Sequence, residues 1–303
     1  MSDLFQQAQS AAIRAAIAWL DHNPTENLLK LIQLIEKLDH NKIWTKQLST
    51  LKKELNEKKG ALYDLIEKVF SEIDPAIRSR LAENFILHVM LAGSKKQDEI
   101  LKKYSKKVPW AVLFGNGGKE MYASLSHDTE AAMKEGIALF LFPDEDTADI
   151  SDILRLGEAY QDAVFAAVIR AEEIDERVIR RLLHVHNVMP VLTGDAARIE
   201  EAIVSLRENR CAFGMRVKDP ELLKDDAFLD AWMEKGVINI FAYPENAIAR
   251  ETAKAYHRLL DEIRDVRPLM SLELWKIIED DSLFLAIGLG RDAETCLAVP
   301  LKR

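Results

Sequence analysis

Two sets of residues after position 107 of this chain could do chemistry, and the first is a glycine loop. Asn116, Gly117 and Gly118 follow the apolar run Trp-Ala-Val-Leu-Phe. A loop of this kind between a strand and a helix often presents backbone N–H groups to a phosphate. It has neither the GxxxxGK[ST] spacing of a P-loop nor the GxGxxG spacing of a dinucleotide site. Two interpretations stay open, a phosphate site and a short connector without a ligand, and we favour the connector.

Charged and aromatic side chains follow the later apolar runs and form the second set. These residues are Asp144, Glu145, Arg170, Lys218, Tyr243 and Glu245. The carboxyl ends of parallel strands meet at one edge of a sheet, where β/α folds bind their ligands. Carboxylates beside Arg170 and Lys218 would make an acid/base or cation site there. Thr193, Asp195 and Asp219 stand at equivalent positions, although the two aspartates are also typical helix N-caps.

Other arrangements that could carry chemistry are weak. His184 and His186 lie before an apolar run, on the structural side of a β/α array, so we predict no metal site there. The chain has two cysteines, Cys211 and Cys296, without a CxxC partner, which argues against a disulfide framework, a zinc site or a thiolate-held cluster. No Ser-His-Asp or Cys-His arrangement is readable from the spacing.

The residues that precede these candidates show a helical pattern. Up to residue 107 the apolar residues recur at helical spacing, which predicts a bundle of four or five helices. Asp74 followed by Pro75 predicts a helix start, and Gly93 predicts the end of that helix. Gly60 marks either a weak point in one solvent-facing helix or a break between two helices.

From residue 108 onwards, short apolar runs alternate with helical stretches. We predict strands at 110–114, 138–142, 163–169, 187–192, 212–217 and 238–242. We predict helices at 129–135, 149–160, 173–183, 196–208, 220–235 and 246–264. Strands that are apolar throughout are typical of parallel sheets covered by helices, and right-handed β-α units then give an open sheet or a barrel. Six such units, with a further candidate strand at 284–287, fall short of the eight in a closed barrel.

The predicted fold class is therefore α/β, with two domains. An all-α helical domain at 1–107 precedes a partial (β/α)6 TIM-barrel-like domain at 108–303. Composition narrows the function, because the net charge of −9 argues against general nucleic-acid binding. No apolar run approaches the roughly 20 residues of a membrane span, and the first residues predict an amphipathic helix in place of a signal peptide. We therefore predict a cytoplasmic protein without a membrane span.

Several segments resemble a known family. The chain carries a Lys-rich turn before Val-Pro-Trp-Ala-Val-Leu, the segment EEIDERVIRRLL after the third strand, RENRCAFGMRV into the fifth strand, and PLMSLELW near the end. Together with the helical region and the six β/α units, they resemble a bacterial group within the radical S-adenosylmethionine (radical SAM) superfamily. The resemblance extends over most of the chain.

The two motifs that carry the chemistry of that family are missing from this chain. Family members have CxxxCxxC after the first strand, whose thiolates hold a four-iron cluster, and Gly-Gly-Glu-Pro after the second strand, which receives the methionine amino group. This chain has GNGGKEMYASLSHDT and FPDEDT at those places. A segment without cysteine cannot replace three thiolates. We therefore predict a degenerate member that uses no cofactor and no metal.

The predicted function is that of a pseudoenzyme, a binding, accessory or scaffold module. Its partner would be an active radical SAM paralogue, or a small molecule or peptide in the barrel cavity. Two other interpretations remain. One is an enzyme of another class that uses the carboxylates at the strand ends, and the other is a structural protein whose helical domain mediates oligomerisation.

Overall fold

The computed structural model describes residues 2–20, 24–38, 45–105, 108–114, 120–242 and 250–273. Its first part is helical, as predicted. The elements are α1 (Ser2–Trp19), α2 (Pro24–Leu38), α3 (Thr45–Glu57), α4 (Ala61–Glu72), α5 (Pro75–Glu83), a π-helical segment (Asn84–Gly93) and α6 (Ser94–Tyr104). The described part of this region thus has more helices than the four or five predicted.

Glycines explain part of this difference. Gly60 lies between α3 and α4 with a φ of 117°, a left-handed conformation that glycine adopts without a steric penalty, so the interpretation as two helices is the right one. The prediction that Gly93 ends a helix was wrong. Its φ is −60° and the helix continues into α6. Glycine is needed at this position for close packing, since a Cβ there would lie 2.6 Å from the carbonyl oxygen of Gly136. Asp74 caps α5 as predicted, accepting a 2.8 Å hydrogen bond from the N–H of Ala76.

The second part of the chain alternates strands and helices. The strands are β1 (Val112–Leu113), β2 (Leu139–Phe142), β3 (Val164–Arg170), β4 (Val188–Thr193), β5 (Gly214–Val217), β6 (Asn239–Ala242) and β7 (Met270–Glu273). The helices between them are α7 (Tyr122–Lys134), α8 (Ile150–Ala159), α9 (Glu176–Val185), α10 (Ala196–Glu208), α11 (Asp226–Glu234) and α12 (Arg250–Val266). Short 3-10 segments follow β3 (Ala171–Glu173) and β5 (Pro220–Lys224).

The strands form one parallel sheet in the order β1-β2-β3-β4-β5-β6-β7, with β1 and β7 at its two edges. Over the described residues the sheet is therefore open, and the predicted partial TIM-barrel-like fold is confirmed. Six of its strands coincide with predicted ones. The seventh strand, Met270–Glu273, was not predicted, and the candidate strand at 284–287 lies outside the described residues.

The register of the strands separates two faces of the sheet. The side chain of Val188 packs against Gly157 of α8, so closely that a Cβ added to Gly157 would lie 2.7 Å from Cγ2 of Val188. Phe165 pairs with Val188 and Phe140 pairs with Phe165, so these side chains share the face that the helices cover. Because successive right-handed crossovers place all the helices on one side, the other face is the concave face of the partial barrel. Leu192 shares the face of Val188 and pairs with Met215, so the next residue of β5, Arg216, belongs to the concave face.

Helical-region side chains hydrogen-bond to the edge of the sheet where the strands begin, the amino edge. Gln97 donates to the carbonyl oxygens of Pro109 (3.1 Å) and Gly136 (3.2 Å), just before β1 and β2. Asn84 donates to the carbonyl oxygen of Ala163, just before β3, at 2.8 Å. These buried main-chain groups would otherwise be costly to desolvate, so the contacts hold the helical region in a defined position on the sheet.

Two cations continue these contacts along the amino edge. Lys68 of α4 donates to the carbonyl oxygen of Val237, just before β6, at 3.1 Å. In the opposite direction, Arg210 donates to the carbonyl oxygens of Ser71 (3.1 Å) and Ile73 (3.3 Å) at the end of α4. The buried apolar side chains of the helical region and of the sheet also belong to one continuous core. None of the helices among the described residues is long and apolar enough to cross a membrane.

Candidate functional site

An ion pair joins the ends of β2 and β5. A carboxylate oxygen of Glu145, just after β2, contacts the guanidinium of Arg216 in β5, and the other oxygen lies 3.2 Å from Nζ of Lys218. Two strands, β3 and β4, separate β2 from β5 in the sheet. At about 4.8 Å per strand, a flat sheet would hold them about 14 Å apart. The side chains meet because the sheet curves, so the contact crosses the concave face.

The charges of this ion pair are largely withdrawn from water. The side chain of Arg216 is 4% exposed and that of Glu145 is 15% exposed. Burial alone would raise the pKa of the Glu145 carboxyl, but its own main-chain N–H and the charges of Arg216 and Lys218 outweigh burial and hold the pKa below its usual range. Glu145 is therefore ionised at neutral pH and is a weak base.

A second ion pair lies beside the first, at the end of β3. The guanidinium of Arg170 contacts the carboxylate of Asp146, and the main-chain N–H of Arg170 donates to Glu173 at 3.3 Å. Burial raises the pKa of the Glu173 carboxyl, although Arg170 opposes this effect. Asp144 accepts a 3.0 Å hydrogen bond from the N–H of Asp146, which shapes the turn that carries Glu145.

Polar residues after β4 and β5 have structural roles. Asp195 accepts a 3.0 Å hydrogen bond from the N–H of Arg198, and Asp219 accepts one of the same length from the N–H of Glu221. Both aspartates are therefore helix N-caps, as the sequence indicated. Thr193 is buried at the end of β4, where it pairs in register with Arg170.

The structure brings part of the predicted candidate set together. Asp144, Glu145, Arg170 and Lys218 lie at the carboxyl edge of the sheet, and with Asp146 and Arg216 they form what we call the carboxyl rim. The predicted residues Asn116, Gly117, Gly118, Tyr243 and Glu245 lie outside the described residues. Sequence reasoning missed Asp146 and Arg216. A charged residue inside an otherwise apolar strand, two positions before Lys218 and hence on the same face, was the available signal for Arg216.

The residues present do not fit the four-iron cluster that the sequence resemblance would imply. Such a cluster needs three neighbouring thiolates, and the chain has two cysteines. Cys211 lies before β5, at the amino edge, and burial raises the pKa of its thiol to about 12. Cys296 lies outside the described residues. His184 lies in the last turn of α9 and His186 directly follows this helix, also at the amino edge. Among the described residues, no group of three potential metal ligands comes together.

Comparisons with known proteins give structural similarity at low sequence identity. No protein-family model matches the chain, and no curated protein matches it. The chain is similar to the crystal structure of Streptococcus suis SuiB bound to S-adenosylmethionine, with a TM-score of 0.42 and 12% sequence identity. The similarity covers 81% of this chain and 65% of the SuiB chain, so this chain spans less than two thirds of that protein's length.

Proposed function

We propose that this chain is a cofactor-free, radical-SAM-like pseudoenzyme that acts as a binding or accessory module, with the carboxyl rim as its binding surface. The observation that supports this proposal best is the ion pair between Glu145 and Arg216 across the concave face. Residues 108–303 would form the binding domain and residues 1–107 the helical domain. A cytoplasmic location is part of the same proposal.

The chemistry of Glu145 supports the loss of cofactor binding. In the family that the sequence resembles, the segment after the second strand receives the amino group of methionine. Here the carboxylate in that segment is already engaged by Arg216 and Lys218. An incoming ammonium group would have to displace a buried guanidinium, and leaving such a charge without its partner costs about 3–5 kcal/mol. Glu145 is thus suited to bracing the rim and poorly suited to binding a methionine moiety.

The exposed part of the rim supports a polar partner. The side chains of Lys218, Arg170 and Asp146 are 37%, 40% and 73% exposed. Charged groups of both signs at the border of a contact surface steer partners and fix their orientation more than they add affinity. A radical SAM paralogue, or a peptide, that carries complementary charges is the partner class we propose.

The loss of the cofactor has a direct test. The protein should remain without absorbance near 400 nm after anaerobic reconstitution with iron and sulfide. Titration calorimetry should also detect no binding of S-adenosylmethionine to the reconstituted sample. A reducible iron–sulfur signal in stoichiometric amount would overturn the proposal.

The partner role is tested by reversing a charge on the rim. Arg170→Glu should weaken binding to a cysteine-bearing homologue encoded in the same genome, measured by surface plasmon resonance. Lys235→Glu is the matched control, because this cation lies before β6 at the opposite edge of the sheet, pairs with a single carboxylate, that of Glu200, and is about as exposed as Arg170. Equal binding by both variants, or no complex with wild-type protein, would contradict this role.

One observation favours an enzyme of another class as the second candidate. The raised pKa of Glu173, beside Arg170 at the rim, is a property of general acids. A hydrolytic or isomerising activity that is lost in Glu173→Gln but retained in Glu172→Gln would establish this alternative. The structural alternative predicts a stable oligomer that light scattering detects.

A further inference from the structure

A cavity of about 240 Å³ lies at the amino edge of the sheet, opposite the carboxyl rim. The end of α4 forms one wall, and the starts of β5 and β6 form another. It therefore lies at the seam between the helical region and the sheet. Its volume is below the about 300–1,000 Å³ of pockets for drug-sized ligands. A ligand in it would be small.

Two arginines line this cavity. Arg207 donates to the carbonyl oxygen of Glu234 at 3.3 Å, and Arg210 donates to the last carbonyl oxygens of α4. Within the described residues, neither guanidinium lies within ion-pair distance of a carboxylate. Each guanidinium has five N–H donors in a planar fork that matches a carboxylate, so both retain donors for a ligand.

The remaining walls of the cavity are mainly apolar. Ile73, Phe213 and Ile238 are almost fully buried and line it together with the neutral thiol of Cys211. The carboxylate of Glu72 also lines the cavity, and the nearby ammonium group of Lys68 interacts with it electrostatically. The cavity thus combines two guanidinium groups and one carboxylate with an apolar floor.

We propose that this cavity binds a small aliphatic carboxylate. The guanidinium groups of Arg207 and Arg210 hold the carboxylate, and the short chain packs on Ile73, Phe213 and Ile238. Because the walls come from both the helical region and the sheet, the bound acid stabilises the seam between them. This site is independent of the carboxyl rim and of the function proposed for it.

Calorimetric titration of the full-length protein with straight-chain carboxylates of four to eight carbons tests the proposal, with inorganic phosphate as a separate arm. We expect saturable binding of one acid per chain and a rise in the melting temperature with ligand concentration. Arg207→Gln should weaken binding about tenfold or more, the effect of losing a charge-assisted hydrogen bond. Arg198→Gln, on the same helix but away from the cavity, should bind as wild type does.

A second variant fills the cavity and leaves both arginines in place. Ala212 lines the cavity and is 3% exposed, so Ala212→Val should abolish binding of the longer acids while circular dichroism shows a folded protein. The proposal is overturned if no acid binds wild-type protein at about 10 mM. It is equally overturned if phosphate binds as tightly as the acids, or if Arg207→Gln and Ala212→Val both leave binding unchanged.

Discussion

Glu145 and Arg216 form an ion pair across the concave face of the sheet, although two strands lie between the strands that carry them. The contact links the turn after β2 to the penultimate residue of β5 and so connects two separated strands at the carboxyl rim. A buried ion pair adds little net stability when it replaces a well-packed apolar pair, but removal of one partner is costly. The pair therefore has a testable energetic signature.

Glu145→Gln should lower the free energy of unfolding by about 3–5 kcal/mol, because it removes the carboxylate that faces the buried guanidinium of Arg216. The double variant Glu145→Gln, Arg216→Met should recover part of this loss, since no buried charge is then left. Urea denaturation of wild type, of the two single variants Glu145→Gln and Arg216→Met, and of the double variant measures both effects. The control Glu201→Gln removes an exposed pair with Arg198 and should change stability by about 0.5 kcal/mol or less. Additive single-variant effects would show that the two groups do not interact.

The same carboxylate predicts how stability depends on pH. The pKa of Glu145 is lower in the folded protein than the 4.5 of an unperturbed glutamate, so the unfolded chain binds more protons in the window between the two pKa values. The stability from this group is fully present above pH 4.5 and is lost as the pH falls through the folded pKa. The difference in unfolding free energy between wild type and Glu145→Gln should therefore shrink below pH 4.5. A difference that stays constant down to pH 3 would contradict the ionised state of Glu145.

The parallel sheet was predictable because its strands are almost continuously apolar, a pattern typical of strands whose side chains are buried on both faces. The caps at Asp74, Asp195 and Asp219 were predictable because capping is a local interaction within a few residues. The contact of Glu145 with Arg216 was not, because it depends on how far several strands curve together. β7 was missed because Ser271 and Glu273 interrupt its apolar pattern.

Arg210 predicts an unusual order of stability for two substitutions at one position. Its φ is +53°, a left-handed conformation that costs a residue with a Cβ about 1–2 kcal/mol, and its side chain caps the end of α4. Arg210→Ala keeps the backbone strain and loses the cap, whereas Arg210→Gly loses the cap but relieves the strain. The glycine variant should therefore be more stable than the alanine variant by about 1 kcal/mol in thermal or urea unfolding. The opposite order would show that residue 210 is not left-handed.

Gly93 predicts a reversal of an ordinary helix preference. Replacement of a glycine inside a helix by alanine normally stabilises a protein by about 0.5–1 kcal/mol. At Gly93 a Cβ would lie 2.6 Å from the carbonyl oxygens of both Gly136 and His88, so the helix and the turn before β2 would have to separate. Gly93→Ala should therefore destabilise the protein by about 1–3 kcal/mol, the usual cost of overpacking, as measured by urea unfolding. It should also speed hydrogen exchange at Gly136, whose N–H donates a 3.0 Å hydrogen bond to the carbonyl oxygen of Met133 in this turn. A stabilising effect of Gly93→Ala would mean that these two carbonyl oxygens do not approach residue 93 as closely as described.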